Sequence, residues 1–339
     1  MKVLLFDVDG VLVAPLGYRE AVRATCQHFM KQWGWPLPPP DEATIAFYEA
    51  HGITSEWDIV PLYLAALWDA WAAQYGAPPA DALTAPRPFP PPAEPLPTAS
   101  VARLARHLSP GDYPTSRALQ LQREGVEDAP FPHLGAHPLV EALLSQTRDV
   151  YHHPVTRVFQ QFALGSEAFA ATYGLPAEVQ TPSFLRRYDR PLLSEDERAR
   201  VKEALASGVA CAAAYTARPS GPPRGVSHMR GYAPEAEMAL EAVGLPDLPL
   251  VGYGRLVYFA AQRGLPTAEI LLKPAAFHAL AAIFAALMQD EQAGLARAAR
   301  WLLDGDSERV GMPDRLIVVG LDDSVSGLHG VAAAVDALR

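Results

Sequence analysis

The chain has 339 residues, half of them hydrophobic, a formal net charge of −10 and only two cysteines. That length exceeds what one core usually covers, so two domains are expected. The acidic balance, with no basic block anywhere, argues against a nucleic-acid binder, and the widely separated Cys26 and Cys211 argue against a disulfide-stapled secreted fold.

Residues 2 to 6, KVLLF, make a short apolar run suited to a buried parallel strand. The chain enters it without a basic leader, and no apolar run approaches ~18 residues, so a cytoplasmic protein with no membrane contact is expected. The strand runs into DVDG. Side chains alternate along a strand, so Asp7 and Asp9 converge on one side, and Gly10 permits the sharp turn that follows. Two carboxylates that close raise each other's pKa unless a cation intervenes, an arrangement used for metal binding or acid/base chemistry. A solvated turn is the bland alternative.

Helical patterns follow at Tyr18 to Trp33, Asp41 to His51, Trp57 to Tyr75, Pro138 to Asp149 and Ser194 to Ala206, the last with a Ser194/Glu197 capping box. No strand pattern competes between 18 and 206. Residues 77 to 97 are too rich in proline for a helix or a sheet interior and read as an extended loop within one helical region. Trp57, Tyr63, Trp68 and Trp71 read as core. His133 and His137 have metal-ligand spacing, but Gly135 and flanking prolines disfavour a helix there, and both read as loop residues. So do His152 and His153.

After Gly208 the texture changes. VACAAAYT (209 to 216), EILLKP (269 to 274) and RLIVVGLDD (315 to 323) are short apolar runs separated by helical segments, the pattern of a parallel sheet with crossovers. The first strand finds partners only here. The sheet domain is therefore discontinuous, residues 1–13 and 201–339, with 14–200 inserted as a helical domain. Ligands of such sheets sit at the carboxyl ends of strands, where these runs place Asp7 and Asp9, Thr216, Lys273, and Asp322 with Asp323. The acids suit a hard cation such as Mg2+, while Thr216 and Lys273 suit a phosphoryl group. Lys273 is one of four lysines beside 24 arginines. The acidic DGDSE at 304 to 308 follows a helical pattern, whereas LIVVG before Asp322 has strand character, so 322 and 323 are chosen.

In this order, DVDGV at 7 to 11, YTARP at 215 to 219, LLKP at 271 to 274 and VGLDDSVSG at 319 to 327 resemble the four motifs of the haloacid dehalogenase superfamily. Within it the chain is similar to the phosphoglycolate phosphatase-like branch, with a helical cap between the first and second motifs. The resemblance implies an α/β, Rossmann-like core with a parallel sheet, plus a large α-helical cap. It further implies that Asp7 is a nucleophile forming an aspartyl-phosphate, that Asp9 is the general acid and base, and that Thr216 and Lys273 bind the phosphoryl group. Mg2+ would be held by Asp7, Asp9 through its backbone carbonyl, Asp322 and Asp323. Tyr18, Arg19, Glu56 and Arg218 are candidates for substrate contacts, although an arginine at the place of Arg218 is more often a solvated loop cation than a ligand. Dehalogenases resemble this fold but lack an acid at the place of Asp9, because a halide leaves unprotonated. The expected function is a Mg2+-dependent phosphatase acting on a small phosphorylated metabolite, as a monomer or homodimer. A phosphomutase and a non-catalytic binding protein on the same scaffold are the alternatives.

Overall fold

A computed structural model describes residues 1–339 apart from 86, 94–96, 110, 228, 307 and 310. The chain divides into two compact units, one of Met1–Leu16, Ala168–Leu175 and Leu185–Arg339, the other of Gly17–Glu167 and Pro176–Phe184. Residues 14–16, 168–175 and 185–200, expected in the insertion, thus belong to the unit that carries the sheet.

That unit is α/β. Its strands are β1 (Lys2–Phe6), β2 (Val13–Ala14), β3 (Arg190–Pro191), β4 (Ala210–Tyr215), β5 (Leu250–Val251) and β6 (Ile317–Leu321). Four form a sheet in the order β5-β4-β1-β6, every pairing parallel. β1 is central, with Phe6 level with Ala214 on one side and Leu321 on the other. Alternation sends Val3, Leu5, Ala213 and Tyr215 into one core with the helices Ala276–Met288 and Glu291–Leu302, and sends Phe6, Ala212 and Ala214 into another against Glu235–Val243. Helices therefore cover both faces, as parallel sheets require.

Two expectations are corrected. The run at 269 to 274 is not a strand: Glu269–Leu271 is a short 3-10 helix, and Lys273 lies in the loop after it. A strand needs a partner, and the free edge of β4 is taken by Leu250–Val251. The amides of Leu271, Leu272 and Ala275 instead turn back onto Ala268, Glu269 and Leu272. The 18 to 206 stretch does contain a strand, since Arg190–Pro191 pairs antiparallel with Val13–Ala14. Two residues, one of them proline, carry no alternation to read.

The other unit is helical. The helices Leu16–Gln32, Glu42–Ala50, Glu56–Tyr75 and Pro138–Leu144 lie where their periodicity put them, although the last stops five residues early. Trp33, Trp68 and Trp71 are buried, with Trp33 and Trp68 edge to face at 5.1 Å. The proline-rich segment is fastened to this cluster by the Trp33 indole on the Ala82 carbonyl (2.9 Å) and the Trp71 indole on that of Pro90 (3.0 Å). His137 and His153 cap helix starts, accepting from the amides of Leu139 and Thr156. Buried Asp58 takes hydrogen bonds from Thr115 and an ion pair from Arg148. Among the described residues no helix is long and apolar enough to cross a membrane.

Candidate active site

The carboxyl end of β1 delivers Asp7 beside Asp322 and Asp323, which follow β6. One carboxylate oxygen from each lies within 4.8 Å of the others. Asp7 is fixed by strand pairing, its amide donating to Leu321 O at 2.9 Å, while its Oδ1 accepts from the Val8 amide at 2.8 Å. The loop then turns back on itself, with Leu12 and Val13 donating to Val8 O.

Lys273 places its ammonium between two acids, 2.7 Å from Asp7 Oδ2 and 3.0 Å from Asp322 Oδ2. Asp322 is engaged on both oxygens. The Tyr215 hydroxyl donates to Oδ2 at 2.7 Å, and Ser324 donates to Oδ1 through its amide and hydroxyl at 2.9 and 2.6 Å. Gly327, at the start of the helix Val325–Ala337, packs so close that a Cβ there would fall 1.7 Å from Asp322 Oδ2.

The three acids differ electrostatically. Burial pushes Asp7 up to about 6 against the opposing charge of Lys273, with Asp322 adding repulsion. Asp323 is also raised, by burial first and then by Asp322 and Asp9. Burial pushes Asp322 the same way, but the hydrogen bonds from Ser324 and Tyr215 and the Lys273 charge outweigh it and hold it below the usual carboxylate range. Asp7 and Asp323 are thus two acids with too little positive charge, both oxygen donors, and a hard divalent cation fits that set.

Thr216 directly follows β4 and is buried; its amide donates to Val251 O at 3.1 Å and its Oγ1 accepts from the Arg218 amide at 3.2 Å. The Asp9 side chain faces Arg218. The guanidinium Nε donates to Asp9 Oδ1 and Oδ2 at 2.8 and 2.9 Å, Nη2 to Oδ1 at 2.6 Å, and Nη2 also meets Asp189 Oδ2 at 3.0 Å. Arg218, read as a substrate contact or a solvated cation, is 3% exposed and held between two acids. Tyr215 and Asp189 went unread. A tyrosine ending a strand carries a weak signal, and Asp189 carries none, because its partner lies 29 residues away.

Tyr18, Arg19 and Glu56 belong to the helical unit. Tyr18 is buried and stacked on Phe159 at 6.4 Å, Arg19 pairs with Glu42 and, at 2.9 Å, with Glu49, and Glu56 opens the helix Glu56–Tyr75. Asp304 of the rejected acidic run pairs with Arg263.

The Lys273 loop rests on buried His278. Its Nε2 lies 2.8 Å from Val251 O, which only accepts, and its Nδ1 accepts from the Lys273 amide at 3.2 Å. The ring is therefore neutral with its proton on Nε2, and burial, helped by the Lys273 charge, pushes its pKa down to about 4. Below pH 6.5 the unfolded histidine binds a proton that the folded one refuses, so stability is lost as pH falls from about 6.5 to about 4. The loss from His278 is up to ~3 kcal/mol. His153, lowered to about 4 by burial, acts in the same window. Urea unfolding at pH 7.5 and 4.5 is expected to show the drop, and His278→Gln to remove His278's part of it.

No protein-family model matches the sequence, and no curated protein matches it. Among solved structures, the chain is similar to the X-ray structure of Northeast Structural Genomics Consortium target ZR25, with a TM-score of 0.62 and 16% identity over 98% of this chain and 88% of that one. Phosphatase Tt82 from Thermococcus thioreducens aligns with a TM-score of 0.46 and 15% identity over 98% of each chain. The first of these likenesses, at 16% identity, is one of fold.

Proposed function

We propose that this protein is a Mg2+-dependent phosphatase of the haloacid dehalogenase type, acting on a small phosphorylated metabolite through an aspartyl-phosphate on Asp7. The observation that carries the reading is the Lys273 ammonium held by Asp7 and Asp322, with Asp323 beside them, at the carboxyl ends of adjacent parallel strands. Phosphoryl transfer depends on positioning and charge neutralisation, and these side chains offer both.

In this reading an Asp7 oxygen attacks phosphorus as the bond to the leaving oxygen breaks, and Asp9 gives that oxygen its proton. Asp9 then takes a proton from water, whose oxygen attacks the same phosphorus and releases Asp7. Lys273 and the Thr216 hydroxyl hold the phosphoryl oxygens. Bound Mg2+ would neutralise charge on the transferring group. The Asp7 and Asp323 carboxylates and the Asp9 carbonyl would hold it, with Asp322, already occupied on both oxygens, reached through water.

Phosphate release from 4-nitrophenyl phosphate and a panel of phosphorylated metabolites, with Mg2+ or with chelator, tests the reading. Metal-dependent release is the expected result. No release from any substrate contradicts it, and isomerisation of a sugar phosphate without free phosphate would identify a mutase. Gly10 offers a second check. It has φ +71°, and a Cβ would fall 2.1 Å from Asp323 Oδ2. Gly10→Ala would therefore displace that carboxylate and strain the turn by ~1 kcal/mol. A raised Mg2+ requirement is expected, with activity recovering at high Mg2+; a wild-type Mg2+ profile would count against Asp323 as a ligand.

A further inference from the structure

We propose that Arg218 is a positioning residue for Asp9, backed by Asp189, and that it sets the orientation from which Asp9 delivers its proton. The inference rests on the phosphatase reading and deepens it. Asp9 lies on the turn after β1, Arg218 three residues beyond β4, and Asp189 immediately before β3. Three separate segments thus meet in one ion-pair chain. The Arg218 and Asp189 side chains are 1% and 2% exposed and that of Asp9 33%, so the anchor is buried and the end that would meet substrate is open.

The two oxygens of Asp9 are held unequally. Oδ1 takes Nη2 at 2.6 Å and Nε at 2.8 Å, whereas Oδ2 has a share of the same Nε hydrogen, at 2.9 Å. An arginine fork of this kind fixes the plane of a carboxylate as well as its place. Oδ1 is the anchored oxygen, and Oδ2 is the one that carries the proton. In the first displacement the Oδ2–H bond breaks and its proton passes to the leaving oxygen. In the second, water returns a proton to Oδ2, so the acid is regenerated with Oδ1 never leaving Nη2. Arg218 is held in turn by Asp189 at 3.0 Å and by Glu235 O at 3.5 Å. Its own freedom to turn is small.

Leaving-group dependence separates this role from a general structural one. An alkoxide needs a proton to depart, whereas 4-nitrophenolate does not. Arg218→Lys keeps the charge between the two acids but not the fork. Release of the leaving group, 4-nitrophenolate or the alcohol, would be followed in a single turnover for Arg218→Lys, Asp189→Asn and Asp9→Asn, using 4-nitrophenyl phosphate and an alkyl phosphate that the wild type hydrolyses, so that the first displacement is read apart from the water step in which Asp9 is the base. Arg218→Lys is expected to slow release of the alcohol from the alkyl phosphate by ~30- to 100-fold, a loss of part of the ~10²- to 10⁴-fold that general acid catalysis supplies. Release of 4-nitrophenolate should slow by less than about threefold, with KM nearly unchanged for both, since the first displacement of that substrate needs no proton. Asp9→Asn should show the same selectivity, and adding Arg218→Lys to it should cost nothing more.

Asp189→Asn, which leaves Arg218 in place, should show that selectivity at smaller size, and it decides the matter if Arg218→Lys does not fold. Equal slowing of both substrates would make Arg218 merely structural and overturn the proposal. So would a rise in KM at constant kcat, which would make it a substrate contact, or a faster variant, which would make it a restraint on Asp9. A wild type that releases no phosphate from either substrate overturns the phosphatase reading and this inference with it, whereas an active wild type with unselective variants overturns this inference alone.

Discussion

Asp7→Asn is expected to abolish metal-dependent phosphate release, by roughly 10⁴- to 10⁶-fold, the scale on which enzymes lose activity when a covalent nucleophile or its partner is removed. The substitution is nearly isosteric. It retains the contact with the Val8 amide and the packing of a 6% exposed side chain. It removes the charge of the oxygen proposed to attack and half of what holds Lys273. Because burial already holds the Asp7 carboxyl up to about 6, trading it for a neutral amide costs the fold little. Unfolding within ~1 kcal/mol of wild type should accompany the loss of turnover. Activity retained within tenfold would remove Asp7 from the chemistry.

Lys273→Met should reduce turnover by ~10²- to 10³-fold, the cost of removing one preorganised charge from a phosphoryl site. Its effect on stability should be large as well. The Lys273 side chain is 11% exposed, those of Asp7 and Asp322 are 6% and 0%, and the substitution leaves both acids without their shared cation. Breaking a buried pair in this way typically costs ~3–5 kcal/mol.

The pH dependence has a definite sign. Lys273 lowers the Asp7 pKa, so without it the folded-state value rises beyond about 6. A raised carboxyl pKa means that the folded state binds the proton more tightly than the unfolded state. The deficit relative to wild type should therefore be smallest in acid, grow as pH rises from about 6 to that raised value, and level off above it. Added Mg2+ should reduce it. A deficit independent of both pH and Mg2+ would show that Lys273 contributes packing rather than charge.

The places of Asp7, Asp9, Thr216, Asp322 and Asp323 could be read in advance because each sits at or just past the end of a strand whose apolar run is visible within a few residues. The parallel α/β sheet was legible for the same reason. Lys273 was identified from its place in the motif order, but on the wrong element: three apolar residues before a lysine and a proline suit a strand or a turn equally, and the choice was made elsewhere, by Leu250–Val251 taking the edge of β4. That strand has two residues, too few for periodicity to register. The ties around the site were not legible at all. Tyr215 reaches Asp322 across 107 positions and Arg218 reaches Asp9 across 209. Such pairings follow from the order of strands in the sheet, which local patterns do not encode.

The central claim, that Asp7 carries the phosphoryl group, is tested most directly by trapping. Enzyme mixed with Mg2+ and a substrate that it hydrolyses would be quenched in acid during turnover and treated with borohydride, which reduces an acyl phosphate to the alcohol. Peptide mapping should then find homoserine in place of Asp7 and unmodified aspartate at positions 9, 322 and 323. Rapid turnover with no reduced residue at position 7, or with the reduction on another side chain, would contradict the account.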